Sequence, residues 1–230
     1  MFLYIEEGAI MNGNRGHTLI EIMVAVAICG ILLSALFSVF VPGLKLFMIG
    51  RTRAEVQSEV LVSLRRMRVE LSSSSNSSVT INSAEIYDAG GTPHAISFLS
   101  PYMDSGSKRT IALDDDSCTT PIWQKYVIYY FDKTSGELRR KEKVYDKVTG
   151  DARKVPFPLT HTELFNLCSD NNIKYTVIAR YIHTIGIYRT SPSLIKIEIC
   201  ARKKGASFTG SGNEEMKSFI EIYPHNTLGI

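Results

Sequence analysis

The chain is poor in cysteine. It has four in 230 residues, too few for a disulfide-dense scaffold. It also lacks a strong charge of either sign: 26 Lys+Arg against 23 Asp+Glu leave a formal +3. That balance is too mild to call for a nucleic-acid partner. The five histidines, His17, His94, His161, His183 and His225, are scattered. They form no HExxH and no His/Cys cluster at metal-ligand spacing. A glycine-rich phosphate loop, a nucleophile elbow and a kinase signature are absent as well. No enzymatic activity, metal or cofactor is therefore expected. What is present is 44% hydrophobic residues with 21% charged, enough for a buried core under a soluble face. The length suits one domain with an appendage better than two large domains.

The apolar residues are concentrated near the N-terminus. From Ile22 to Leu44 no residue is charged. As a helix this run reaches about 35 Å at ~1.5 Å per residue, against a hydrocarbon core of about 30 Å. A membrane span is the expected reading. Gly30 and Pro42 lower helix propensity but are tolerated in lipid, and Pro42 is expected to kink or locally melt the helix. Just before the run stands Glu21, a carboxylate that is costly in lipid without a partner or a job. Solvation at the headgroup boundary is the plain alternative.

The segment Arg15-Gly16-His17-Thr18-Leu19-Ile20-Glu21, followed by the apolar run to Pro42, resembles the processing signal of type IV prepilins and type II secretion pseudopilins. The resemblance implies cleavage by a membrane-embedded prepilin peptidase between Gly16 and His17, and N-methylation of His17. It implies that Glu21, fifth in the mature chain, pairs with the N-terminal amine of a neighbouring subunit during assembly. Glycine at the cut allows close backbone approach, and a buried carboxylate gains most from a cation supplied in trans. The chain departs from the family in having His17 where phenylalanine is usual. Its leader also carries Glu6 and Glu7 beside one base, Arg15. A start at Met11 would give the shorter leader MNGNRG. Lys45, Arg51, Arg53, Arg65, Arg66 and Arg68 follow the span, which by the positive-inside rule would hold the C-terminal part in the cytoplasm. The processing signal implies the reverse, and the rule weighs least on long translocated domains.

Beyond the span, Val56, Val60, Leu64, Met67 and Leu71 recur every four and three residues, predicting an amphipathic stalk helix. Arg51/Glu55 and Arg66/Glu70 read as surface i,i+4 pairs. The serine-rich stretch 72–78 ends the helix. After it the pattern turns to β. Strands are expected at Ala95–Leu99, Lys125–Asp132, Glu137–Asp146, Lys174–Arg189 (broken at Gly186), Ser193–Ala201 and Met216–Tyr223. Gly136 marks a hairpin turn, and residues 203–215 read as a loop tip. The fold class expected is α+β: a long N-terminal helix, transmembrane then amphipathic, packed on an antiparallel sheet domain in the pilin manner. The parts are a leader (1–16), the span and stalk (17–71), and a β-rich globular domain (72–230).

Two of Cys118, Cys168 and Cys200 are candidates for a disulfide in an oxidising compartment, with three buried thiols the alternative. Asp114-Asp115-Asp116 invites a calcium reading, since some pseudopilins hold that ion. Three consecutive acids do not converge on one ion, so a solvated loop is preferred. The strand layout resembles minor pseudopilins of the J type and related minor pilins. It implies a minor subunit that starts assembly or forms the tip. Its partners would be other pilin or pseudopilin subunits, the prepilin peptidase and the inner membrane, with the C-terminal domain outside the cytoplasm. A single-span anchored binding domain that forms no filament is the alternative.

Overall fold

The computed structural model describes residues 18–82, 94–105, 108–113, 121–145, 155–204 and 213–224. Helix α1 runs from Leu19 to Ser72. It continues through Pro42, so the expected local melting does not occur. A proline removes one backbone bond, and the turns on either side keep theirs. The chain divides into two compact units, Met1–Phe47 and Met48–Ile230. In the first, the described residues are helical from Leu19 onward and exposed, apart from a half-buried Pro42.

The second unit combines the stalk part of α1 with antiparallel strands and a short helix. The strands are β1 (Thr80–Asn82), β2 (Ala95–Ser100), β3 (Tyr102–Ser105), β4 (Lys108–Ile111), β5 (Lys125–Asp132), β6 (Glu137–Val144), β7 (Tyr175–Ala179), β8 (Ile182–Ser191), β9 (Leu194–Lys204) and β10 (Asn213–Ile222). They form a five-stranded sheet in the order β1-β2-β5-β6-β7, a three-stranded sheet β10-β9-β8 and a hairpin β3-β4. All pairings are antiparallel. The architecture is α+β, with the long N-terminal helix expected from the sequence.

The stalk stripe is buried as its spacing predicts: Val56, Val60, Leu64, Met67 and Leu71 join the main core. They meet Phe98, Val127 and Tyr129 of the larger sheet and Ile187, Ile195 and Ile197 of the smaller one. The alternate residues of β5, Tyr126, Ile128 and Tyr130, fill a second core with Trp123, Tyr145, Leu164 and Leu167. Strand β5 is thus buried on both faces, which accounts for its near-continuous apolar sequence. The second face is closed by α2 (His161–Ser169), a helix that hydrophobic periodicity alone did not announce. Its signal is Thr160-x-x-Glu163, whose side chains reciprocally cap the helix start.

Two expectations need correction. The break between β7 and β8 falls at Arg180-Tyr181, not at Gly186, and the two strands belong to different sheets. Tyr181 adopts φ 62°, and its carbonyl accepts from Arg202 N–H at 2.7 Å, turning the corner. Gly186 lies inside β8, where the Tyr188 ring covers the space a Cβ would need. The loop expected over 203–215 is shorter, because β9 extends to Lys204 and β10 begins at Asn213. Gly136, by contrast, has φ +66° at the β5–β6 turn, the left-handed conformation that favours glycine.

Candidate functional site

The first described turn of α1 carries a reciprocal cap. The Thr18 backbone N–H donates to Glu21 Oε2 at 2.9 Å, while Glu21 N–H faces Thr18 Oγ1 at 3.4 Å and the Thr18 carbonyl at 3.0 Å. A Thr at the cap with Glu three residues on is a capping box. It places the carboxylate at the positive end of the helix, where an anion is stabilised. This supplies the partner that Glu21 requires in an apolar setting. Beyond the cap the surface is apolar, with Ile22, Val26, Leu33, Phe37 and Phe40 among the exposed side chains. Gly16 and His17 lie outside the described residues.

The stalk part of α1 is held by a buried charge cluster. Glu70 is 1% exposed, not a surface residue as the i,i+4 reading had it. The stripe explains the burial. Val56, Ser63 and Glu70 follow one another at heptad spacing, so Glu70 sits on the inward face beside Leu71. Its Oε2 accepts from Arg140 Nε at 2.9 Å and from the Tyr129 hydroxyl at 2.8 Å, and Arg66 Nε stands 3.4 Å from Oε1. Burial alone would raise the Glu70 pKa; Arg140, with Tyr129 and Arg66, brings it below the ordinary glutamate value. Glu142 pairs with the far side of Arg140 and with Lys125 Nζ at 2.8 Å. Glu55 takes Lys203 Nζ at 2.7 Å, and Arg51 acts on it through space. Arg66/Glu70 is therefore one limb of a buried network.

The outward side of the second core holds another buried cation. Lys141 Nζ donates to the carbonyls of Leu167, Cys168 and Asp170 at 3.0, 2.8 and 2.7 Å, satisfying the C-terminal end of α2. A shallow cleft of about 450 Å³ lies between Ile81, Leu159, His161 and Arg189. Arg189 is committed there to Asn76, Pro192 and Val79, which makes it a strut.

Residues 11–37 match the family described as the prokaryotic N-terminal methylation motif. This match, with the long apolar helix that follows it, supports a type IV pilin-like protein. No curated protein and no solved structure matches the chain. The matched residues contain the Thr18/Glu21 cap and the first part of the span. Helix α1 is also long and apolar enough to cross a membrane.

The other sequence candidates fall outside residues 11–37. Cys168 and Cys200 are free, buried thiols, and Cys118 is outside the described residues. Burial pushes the Cys168 thiol up to about 12, and burial also raises Cys200, which faces Glu215 Oε1 at 3.2 Å. Such thiols are poor nucleophiles at neutral pH. Asp114, Asp115 and Asp116 lie outside the described residues. Among the described residues no group of His, Cys, Asp and Glu converges as metal ligands would.

Proposed function

We propose that this chain is a minor structural subunit of a type IV pilin-like filament, a pseudopilus or pilus, acting in assembly initiation or at the tip for secretion, adhesion or DNA uptake. The observation that carries the proposal is the methylation motif at residues 11–37, with Glu21 at the start of an apolar helical segment that is exposed apart from Pro42. In this reading the peptidase cuts between Gly16 and His17, His17 is methylated, and the chain rests in the inner membrane with its C-terminal domain outside the cytoplasm. The apolar surface of α1 is then covered twice, by lipid before assembly and by neighbouring helices in the filament. Glu21, held by its cap at the helix start, neutralises the N-terminal amine of an adjacent subunit. Its work is packing, not catalysis.

Two measurements test this. Membrane-extracted protein should begin at His17 and be one methyl group heavier than its sequence mass. Glu21→Ala should stay membrane-bound and cleaved, yet fall at least about tenfold in the sheared filament fraction, since truncating one partner of a buried charge pair costs about 2–5 kcal/mol. An uncut chain, or undiminished incorporation of the variant, would leave a single-span anchored binding domain.

A further inference from the structure

Among the sheet edges described, β10 differs from the rest. Strand β1 is three residues long, β3 and β4 are four each, and β7 and β8 meet their partners with register shifts; short strands and irregularities both blunt an edge. Strand β10 pairs with β9 from Asn213↔Lys204 to Ile222↔Ile195 without a shift. Among the described residues no strand lies on its other side. Its outward N–H and C=O groups therefore form a regular template for another strand. The apolar cover is also incomplete here: Met216 and Ile220 pack against the main core but remain half-exposed.

The outer face of β10 carries Lys217, Phe219 and Glu221, all exposed, with Phe219 at 59%. Lys196 Nζ lies 5.0 Å from the Phe219 ring centroid. This sequence is complementary to itself. In an antiparallel pairing of β10 with its own copy centred on Phe219, Lys217 stands opposite Glu221 twice and the two Phe219 rings are neighbours. On the inner face Met216 stands opposite Ile222 and Ser218 opposite Ile220. Centring on Lys217, Ser218 or Glu221 sets like charges opposite one another, which destabilises a sheet. Centring on Met216 would oppose Glu215 and Lys217, but Glu215 is already held by Arg202 at 2.6 Å and Cys200 at 3.2 Å. Centring on Ile220 pairs no opposite charges. Charge complementarity with the charges still available thus favours a second copy in the Phe219 register.

We propose that β10 is a docking edge for a second copy of this chain, the two strands pairing antiparallel about a twofold axis at Phe219. Two three-stranded sheets become one of six strands, and the interface is isologous. Apolar contacts of Met216, Ile220 and Phe219 supply most of the attraction, and the Lys217–Glu221 pairs fix the register. Anchoring both copies in one membrane raises their effective concentration, so a short interface suffices. The inference stands apart from the filament reading.

The test is disulfide trapping of the full-length protein in membranes, in a Cys29→Ser background because Cys29 is exposed in the apolar segment. Phe219→Cys should give a dimer under mild oxidation, while the parent with Phe219 intact and Glu198→Cys, on the central strand, should not. Adding Lys217→Glu or Glu221→Lys singly should slow trapping about tenfold, as expected for two opposite-charge pairs turned into repulsive ones. Combining the two changes should restore it, because the complementarity is then rebuilt with the signs exchanged. Lys217 is 69% exposed with a long 3.9 Å contact to Glu198, and Glu221 is exposed opposite Lys196, so each variant should keep the parent's thermal transition, which is measured alongside. The proposal is overturned if Phe219→Cys does not trap, if the single charge changes have no effect, or if the double change fails to restore. Dimers that form through the apolar helix would be indifferent to both charges and would count against it.

Discussion

Leu33 and Leu64 belong to the same helix, yet Leu33 is 54% exposed and Leu64 only 2%. Around Leu33 almost every side chain is exposed and apolar. Around Leu64 a stripe is buried and its flanks carry Arg65, Arg66 and Arg68. One helix thus carries two surfaces, apolar all round in one part and striped in the other. An all-round apolar helix is stable where lipid or other apolar helices surround it, whereas an amphipathic one is completed by its own domain. In the second case completion includes a desolvated ion pair. That requires Arg140 and Tyr129 at fixed positions, and the sheet provides them.

Breaking that pair should have the largest effect. Glu70→Ala leaves Arg140 buried beside an empty site, and the 48–230 unit should lose about 3–5 kcal/mol, read as a lower thermal unfolding midpoint of the detergent-solubilised chain. Membrane retention should be unchanged, because residues 19–47 do not depend on this contact. The same group predicts a pH dependence. The folded pKa of Glu70 lies below its ordinary value, so its ionised form stabilises the fold fully above the ordinary glutamate range. That contribution is lost as pH falls through the lowered folded value. A Glu70→Gln variant should show a flatter midpoint between pH 5 and pH 3, at roughly the acid end of the range where carboxylates titrate. An unaltered slope would remove Glu70 from the account.

Truncating the two leucines sharpens the contrast directly. Leu64→Ala should cost about 2–5 kcal/mol of unit stability through a cavity in the main core. Leu33→Ala should leave the same transition where it is. Equal effects would mean that the two parts of α1 are not differently covered. The smallest change concerns α2: Thr160→Ala removes half of its capping box and should cost about 1 kcal/mol. The measurement is again the midpoint, and no shift would show that the packing of Leu164 and Leu167 holds the helix unaided.

Much of this could be read before any coordinates. Glu21 and the uncharged run announce themselves, since a motif and a hydropathy window are local properties. The stalk stripe and the β5–β6 hairpin were also legible, because heptad spacing and a glycine turn act over a few residues. Helix α2 had a sequence mark in Thr160 and Glu163, although its apolar face is short. Nothing local marks Arg140 as buried. It stands in a run of charged residues, Arg139-Arg140-Lys141-Glu142, two of which the fold takes out of water.

By itself, then, the sequence determined the apolar N-terminal helix with Glu21 at its start and the α+β plan, all of which follow from neighbours along the chain. The tertiary structure alone decided the two-sided burial of β5, the corner at Tyr181 and the pairing of Glu70 with Arg140. Those residues are 70 positions apart, and only the register of helix against sheet brings them to 2.9 Å. A charge placed on a stripe can be read from spacing. Its counter-charge depends on which strand the packing sets opposite, and that is a property of the whole fold.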